Sequence, residues 1–298
     1  MVRTIAIALL LSATFVHAGE YRTERGKVYA DLGDKKLHMT MYIPKDEGDT
    51  LRPGIVLIHG GAWIFGTRYQ QLWYCRHFAR KGYVVMTIDY RLMPKYPFPD
   101  CLHDSKSAVR WMRLNAEKYR IDPERIVTFG ASAGGHLAAL LAATTPEDGF
   151  EGEINPGASS GVRAAISLYG AVDLTLYRDK PMLGPFGWAT KRFMKDFVSR
   201  KSVGSKETAL EDASPITYAS PTTKPILFVH GTDDHFVHYE QSERFYKRLT
   251  ELNVPTRLIT VKNRDHGFDY VCLKQRKKIF EEMLTFYEEQ GCGVQVKE

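Results

Sequence analysis

The amino-acid sequence predicts a doubly wound α/β fold in a single domain. Apolar, β-branched runs recur along the chain, and stretches whose apolar residues have helical spacing separate them. The runs are almost continuously hydrophobic, which is typical of strands covered on both faces in a parallel sheet. The 298 residues are enough to bury a sizeable core of this kind.

The first strands are expected as a hairpin, because the alternating segments GKVYADLG and KKLHMTMYIP are joined by the turn GDK. Six further strands are predicted from the apolar runs that follow. These runs are GIVLIHG (54–60), YVVMTIDY (83–90), RIVTFGAS (125–132), AAISLYG (164–170), PILFVHG (225–231) and TRLITV (256–261).

Helices are predicted between these runs, in YQQLWYCRHFARKG, DCLHDSKSAVRWMRLNAEKY, GGHLAALLAATT and EQSERFYKRLTELN. One connection, residues 173–221, is much longer than the others. It contains a predicted helix at about 187–200 within polar, loop-like sequence. An insertion of this size inside a compact domain is typically functional or forms a lid.

The N-terminus resembles a secretory signal peptide. Arg3 is followed by an apolar stretch from Ile5 to Phe15, and small or neutral residues stand at Val16 and Ala18. We expect cleavage after Ala18, which would leave one domain over residues 19–298 in the periplasm or the medium. The apolar stretch is too short to span a bilayer, so we expect no membrane partner.

The charge pattern bears on nucleic-acid binding, and the cysteines bear on disulfides and zinc sites. The formal net charge is +6, and the densest basic run, KQRKK at 274–278, begins an amphipathic helical stretch. This pattern favours a solvated helix face over a nucleic-acid site. The cysteines match no zinc motif, and export favours the local disulfides Cys75–Cys101 and Cys272–Cys292. Four free, partly buried thiols are the alternative, and nothing indicates the oligomeric state.

The segment GASAG at 130–134 fits the pattern G-x-S-x-G between a predicted strand and a predicted helix. In this context the serine of the pattern stands on a strained turn and acts as a nucleophile. The alternative is a tight turn in which Ser132 only caps the helix. Gly130 and Gly134 would leave room for either turn.

A serine nucleophile needs a base and an acid that orients the base. Asp233 and Asp234 follow the run PILFVHG, and His266 follows TRLITV, so all three stand at the carboxyl ends of predicted strands. His266 is the predicted base. Either aspartate could be the acid on this reasoning alone.

Donors for an oxyanion are predicted in HGGAW at 59–63, where glycines let the N–H groups of Gly60 and Gly61 approach a charged oxygen. The N–H of Ala133, next after the serine, is the complementary donor. Trp63 and Phe268 stand beside these residues in the sequence. They would either line a substrate pocket or pack in the core.

These motifs together resemble α/β-hydrolase carboxylesterases of the hormone-sensitive-lipase-like and bacterial feruloyl-esterase-like group. The similarity runs from about Lys27 to the C-terminus and includes HGGAW, IDYRL, the stretch from YPFPDCLHD to HLAALLA, HGTDD and DHGF. It implies the α/β-hydrolase fold: a mostly parallel sheet of eight strands, the second antiparallel, flanked by helices and carrying a small lid-like insertion around 173–221.

The resemblance also implies a mechanism. The nucleophile follows the fifth strand, the acid the seventh and the base the eighth, and the fifth position of HG-x-x-D selects Asp234 as the acid. The implied activity is that of a secreted serine esterase which forms an acyl-enzyme on Ser132 and needs no cofactor. The implied substrates are small-molecule or saccharide-linked esters with short-acyl or aromatic groups, of acetyl or feruloyl type.

Three other functions remain open on the sequence. The chain could be a serine peptidase of the same fold, or a non-catalytic binding module. It could also bind a metal through a cluster of five side chains at 230–238, namely His230, Asp233, Asp234, His235 and His238.

Overall fold

One eight-stranded sheet runs through the protein in the computed structural model, which describes residues 19–45, 50–182, 190–198 and 208–294. The strands are β1 (Tyr21–Asp31), β2 (Lys36–Pro44), β3 (Arg52–Ile58), β4 (Val84–Ile88), β5 (Ile121–Ala131), β6 (Ala165–Leu168), β7 (Ile226–Gly231) and β8 (Thr256–Val261). Their order in the sheet is β1-β2-β4-β3-β5-β6-β7-β8. β2 is antiparallel to β1 and β4, and the other pairs are parallel. The predicted fold is confirmed.

The central strands are hydrophobic on both faces because helices cover both sides of the sheet. All five residues of β4 are buried. In β3, Val56 and Ile58 belong to one buried cluster, whereas Ile55 and Leu57 belong to the other. This division follows from the alternation of side chains along a strand. It explains why the predicted strands read as continuous apolar runs rather than as alternating ones.

The longer helices are divided between the two faces. α2 (Asp100–Leu114), α4 (Ala133–Ala143) and α7 (Glu240–Glu251) contribute to the cluster that contains Val56. α1 (Leu72–Arg80) and α9 (Leu273–Glu289) pack in the cluster on the opposite face. The other α-helices of the described residues are α3 (Ala116–Tyr119), α5 (Thr190–Phe197), α6 (Ala209–Asp212) and α8 (Phe268–Val271). Among the described residues, no helix has both the length and the apolarity needed to cross a membrane.

The long connection at 173–221 contains α5, which lies inside the helix predicted at 187–200, and also α6 and a 3₁₀ turn at Pro215–Tyr218. Residues 183–189 and 199–207 of this connection lie outside the described part of the chain. The predicted signal peptide, residues 1–18, lies outside it as well. Its cleavage after Ala18 therefore stays a prediction.

The predicted disulfides are wrong, since all four cysteines are free thiols. Cys75 lies on α1 and Cys101 on α2, so they belong to the core clusters on opposite faces of the sheet. Cys272 precedes the 17 residues of α9 and Cys292 follows them. At about 1.5 Å per residue this helix separates the two cysteines by about 25 Å, whereas a disulfide requires Cα atoms within about 7 Å. Both predicted pairs were chosen because their cysteines are close in sequence, but the cysteines of each pair are far apart in the structure.

Burial protects three of the thiols. Cys75, Cys101 and Cys292 are each at most 1% exposed. Burial raises the pKa of the Cys75 thiol to about 12 and that of Cys292 to about 11, which disfavours the reactive thiolate.

We therefore predict that the unfolded, unreduced protein contains four titratable thiols per chain. The measurement is a reaction with a chromogenic disulfide in concentrated guanidinium chloride, with a reduced sample as the control. Two or fewer thiols in the unreduced sample would contradict the arrangement described here.

Candidate active site

Ser132 lies on the sharp turn between β5 and α4. Its backbone has φ 56° and ψ −122°, a strained conformation for a residue with a side chain. A Cβ atom at Gly130 would lie 2.0 Å from the carbonyl oxygen of Gly134, and a Cβ at Gly134 would lie 2.1 Å from that of Ile58. Both glycines of the motif are therefore required by close backbone packing. The Ser132 side chain makes no capping hydrogen bond to the helix, so the simple N-cap interpretation is wrong.

The structure brings Ser132, His266 and Asp234 together in one hydrogen-bonded chain. His266 Nε2 is 3.0 Å from Ser132 Oγ, and His266 Nδ1 is 2.7 Å from Asp234 Oδ2. An ionised carboxylate can only accept, so Nδ1 carries the imidazole proton and Nε2 is the acceptor that faces the serine hydroxyl. This arrangement can withdraw the proton from Ser132 Oγ.

Asp234 is held as a carboxylate in a nearly buried position. The N–H groups of Phe236 and Val237 donate to its Oδ1 at 2.9 and 2.7 Å. Burial raises the pKa of Asp234, but hydrogen bonds from His230 and His266 outweigh burial and hold this pKa well below its usual range. The neighbouring Asp233 accepts a hydrogen bond from Thr232 instead. Of the two candidate acids, Asp234 is the one that contacts His266.

The loop after β3 presents the predicted donors Gly60 and Gly61. His59 Nδ1 lies 2.6 Å from the Gly60 carbonyl oxygen, and burial lowers the pKa of His59 to about 4, so the neutral ring donates this hydrogen bond. In a trans peptide the N–H points opposite to the C=O, so the Gly61 N–H points away from His59. Gly61 has φ 116°, and a Cβ there would lie 2.0 Å from the Phe65 carbonyl oxygen. Only glycine fits at this position.

Ala133 is the first residue of α4, where backbone N–H groups have no partner within the helix. Within the described part of the chain, the N–H groups of Gly60, Gly61 and Ala133 donate to no backbone or side-chain acceptor. Gly60 is also close to the serine, because a Cβ on Gly60 would lie 3.3 Å from Ser132 Cβ. The three predicted donors are thus available beside Ser132.

A cavity of about 460 Å³ opens onto Ser132 and His266. Its wall is mostly apolar and includes five aromatic side chains that the sequence analysis did not identify: Phe65, Tyr169, Phe193, Phe236 and Tyr270. Tyr169 directly follows the carboxyl end of β6. Ligands of parallel sheets bind at the carboxyl ends of the strands, so this position could have indicated that Tyr169 lines the cavity. Phe193 comes from the insertion, whose sequence alone gives no indication of where it packs.

Tyr169 also supports the ring of His266. The two rings meet edge to face with centroids 4.6 Å apart, and the Tyr169 hydroxyl donates to Asp269 Oδ1 at 2.5 Å. Tyr74 donates to the other oxygen of Asp269 at 3.2 Å. Burial raises the pKa of Asp269, although these hydrogen bonds oppose the shift. The buried acid thus anchors the ring that packs against His266.

Comparison with known proteins decides the family of this chain. A profile of the BD-FAE family matches residues 39–249, which is more than half of the sequence. The chain belongs to the BD-FAE family. Esterase LipC of Mycobacterium tuberculosis is 30% identical over 251 residues, which make up 84% of this chain and 60% of LipC. Isoprenylcysteine alpha-carbonyl methylesterase ICME of Arabidopsis thaliana is 27% identical over 82% of this chain and 56% of its own length. The chain thus spans little more than half the length of these curated relatives.

Solved structures of esterases share the fold of this chain. Thermogutta terrifontis esterase 2 phosphonylated by sarin has a TM-score of 0.77 and 27% identity, over 93% of this chain and 97% of that one. The butyrate-bound form of the same esterase has a TM-score of 0.74 and 26% identity, over 95% and 98% of the two chains. Family and fold therefore make this chain a BD-FAE domain with the α/β-hydrolase fold, and the proteins that it resembles are esterases.

Two residues predicted beside the BD-FAE site do not reach its cavity. Trp63 and Phe268 are each 2% exposed, and neither belongs to the cavity wall. Trp63 stacks on Phe197 with ring centroids 4.3 Å apart, and Phe268 packs against Tyr169 at 5.6 Å. Both are core residues, so the substrate-binding interpretation of them is wrong. Both residues are close to the site in sequence, but their side chains point into the core.

The five side chains proposed as a metal site do not converge on a common point. His230 lies 2.7 Å from Ser242 Oγ through Nδ1 and 3.2 Å from Asp234 through Nε2. His235 pairs with Asp265, and His238 contacts the Pro181 carbonyl oxygen. No group of three or more metal-ligating side chains occurs in the part of the chain that the structure describes.

We predict that Asp234 makes stability depend on pH in the acid range. Its folded pKa is depressed, so its contribution is complete above the ordinary aspartate pKa of about 3.9 and is lost as the pH falls toward the folded pKa. Urea unfolding of the wild type and Asp234→Asn at pH 6 and pH 3 should give a larger stability difference at pH 6. Equal differences at the two pH values would contradict the inferred stabilisation of the carboxylate.

Proposed function

We propose that this protein is a secreted serine carboxylesterase that forms an acyl-enzyme on Ser132. The observation that carries the proposal is the hydrogen-bonded chain from Ser132 through His266 to Asp234, with distances of 3.0 and 2.7 Å. Ser132 and His266 both line the mostly apolar cavity described above.

The first half of the reaction transfers the acyl group to the enzyme. Ser132 Oγ attacks the ester carbonyl carbon while His266 Nε2 takes its proton, and Asp234 stabilises the resulting imidazolium. The N–H groups of Gly60, Gly61 and Ala133 balance the charge that develops on the carbonyl oxygen. The C–O bond to the alcohol then breaks, and His266 returns the proton to the leaving oxygen.

The second half releases the acid by the same groups. A water molecule attacks the acyl carbon while His266 accepts its proton, and the tetrahedral intermediate again places negative charge on the oxyanion donors. Collapse of this intermediate returns the proton from His266 to Ser132 Oγ and frees the carboxylic acid. No cofactor is required by any step.

The proposed substrates are esters of short-acyl or aromatic acids, of acetyl or feruloyl type, on a small-molecule or saccharide alcohol. The cavity of about 460 Å³ has a largely apolar wall with aromatic rings near the serine. The Thermogutta terrifontis esterase was solved with butyrate and with propionate bound. These ligands support a preference for short acyl groups in this chain as well.

The serine mechanism is supported by the reagents that modify the same relative. That esterase has been solved phosphonylated by sarin and phosphorylated by paraoxon. Organophosphates of this kind react with an activated nucleophile, and in this chain the proposal assigns that role to Ser132.

Export is part of the proposal and depends on the sequence of residues 1–18. Arg3 and the apolar stretch Ile5–Phe15 precede the small residue Ala18. Expression of the full chain in a bacterium should yield an exported protein whose first residue is Gly19. Intact-mass analysis of the periplasmic and medium fractions checks this, and a retained Met1 in an exported product would contradict it.

We predict that p-nitrophenyl acetate and butyrate are hydrolysed fastest in a series that extends to decanoate. Ser132→Ala should lower kcat at least about 10⁴-fold, because no other hydroxyl can replace the nucleophile. A chelator should leave the wild-type rate unchanged. Activity that survives the substitution but disappears with the chelator would overturn the serine mechanism in favour of a metal. Faster cleavage of peptide anilides than of esters would instead indicate a peptidase.

A second prediction uses two adjacent aspartates as a matched pair. Asp234→Asn should lower kcat about 10³–10⁴-fold, because the amide cannot stabilise the imidazolium or hold the same tautomer of His266. Asp233→Asn removes a carboxylate one residue away that does not contact His266, so kcat should change by less than about twofold. Equal losses in the two variants would contradict the assignment of Asp234 as the acid.

A further inference from the structure

His136 is a fully buried histidine on α4, one helical turn after Ser132. Its ring makes two hydrogen bonds, both to parts of the chain that are distant in sequence. The indole Nε1 of Trp63 donates to His136 Nδ1 at 3.2 Å, and His136 Nε2 is 2.7 Å from the Ala213 carbonyl oxygen. The mechanism proposed above does not use this side chain.

The partners determine the protonation of the ring. An indole N–H can only donate, so Nδ1 is the acceptor and the single proton stands on Nε2, which donates to Ala213. Burial lowers the pKa of His136 to about 4, although the hydrogen bond to Ala213 opposes this shift. The ring is therefore neutral at neutral pH, and its Nδ1 lone pair is available to Trp63.

The two residues belong to the elements that carry the oxyanion donors. Trp63 lies on the loop at 59–66 that holds Gly60 and Gly61, and His136 lies on the helix that begins with Ala133. In the described part of the chain, the hydrogen bond between Trp63 and His136 is the only one between side chains of this loop and this helix. The distance between the two sets of donors depends on how these elements are held together.

The loop needs such support because its backbone is strained. Ala62 and Trp63 have φ values of 50° and 57°, in the left-handed region that non-glycine residues rarely adopt. Residues in this region persist only where neighbouring contacts hold them. The contacts on Trp63 include the hydrogen bond to His136, the stacking on Phe197 and a hydrogen bond from Met93 N to its carbonyl oxygen at 2.8 Å.

We propose that His136 is a positioning residue for the oxyanion hole, acting through its hydrogen bond to Trp63. His136 thereby fixes the Gly60 and Gly61 donors relative to the Ala133 donor. This inference rests on the proposed esterase function, and it deepens that function by assigning a role to a side chain that is hydrogen-bonded to Trp63 and Ala213 and not to the Ser132 hydroxyl. His136 acts on the transition state, in which the carbonyl oxygen carries charge, rather than on ester binding.

The test compares His136→Asn with His136→Gln. The Asn Oδ1 can occupy the position of the lost Nδ1 and accept from Trp63, whereas the Gln amide occupies the position of Nε2 and preserves only the contact to Ala213. For Gln we expect kcat to fall about 10- to 100-fold with KM within about threefold, since a misplaced donor weakens transition-state binding. For Asn we expect kcat within about fivefold of wild type, because the acceptor is restored.

A second measurement reports the oxyanion hole directly. A trifluoromethyl ketone with the preferred acyl chain forms a hemiketal oxyanion on the serine, so its inhibition constant should rise in the Gln variant by about the same factor as kcat/KM falls. Trp63→Phe removes the indole N–H but keeps an aromatic ring, and it should reproduce the Gln phenotype. If His136→Gln does not fold, the kcat values and inhibition constants of Trp63→Phe and His136→Asn are compared instead.

The possible outcomes separate this inference from the proposed function. Equal kcat losses in Asn and Gln, accompanied by equal losses of Tm, would reduce His136 to a packing role and overturn the inference alone. Wild-type kcat in both variants would also overturn it while the esterase assignment stands. A wild-type protein that hydrolyses no ester of the series would overturn the proposed function, and the role of His136 with it.

Discussion

The close approach of three backbone segments around Ser132 is the constraint on which the rest of the site depends. The turn after β5 is so tight that no side chain fits at Gly130, where it would meet the Gly134 carbonyl, or at Gly134, where it would meet the Ile58 carbonyl at the end of β3. This packing brings the loop at 59–66 beside Ser132, and α4 begins at the next residue, Ala133. The main chain at the ends of β3 and β5 therefore positions Ser132 and the N–H groups of Gly60, Gly61 and Ala133, and the loops after β7 and β8 add Asp234 and His266.

Buried imidazoles support this main-chain framework in a consistent way. His59 and His136 are both buried, both have a pKa lowered to about 4, and each holds one proton on the nitrogen that its partners require. His266 differs because its side chain is 22% exposed and its second nitrogen faces a hydroxyl. His59 and His136 are thus neutral, desolvated connectors, whereas His266 is the histidine to which the proposed mechanism assigns proton transfer.

Much of the fold and the central chemistry could be predicted from the sequence, because both depend on local patterns. Apolar, β-branched runs predicted six of the eight described strands, and alternating segments joined by a turn predicted the first two. G-x-S-x-G in a strand-to-helix context indicated Ser132. Other features depend on distances between remote segments. Trp63 and Phe268 end the motifs HGGAW and DHGF, yet their side chains pack in the core. The cysteine pairs lie close in sequence but far apart in space. The aromatic cavity wall combines residues from several loops, so no single stretch of sequence reveals it.

The arrangement of the thiols has a practical consequence for studying motion in this enzyme. Cys75, Cys101 and Cys292 are sealed in the core, whereas Cys272 is partly exposed between α8 and α9. It stands two residues from Tyr270, which lines the cavity and is 52% exposed. A fluorophore or spin label attached to the unmodified protein would therefore report from the rim of the substrate opening. Ligand-dependent changes at that rim become measurable without removing a single native cysteine.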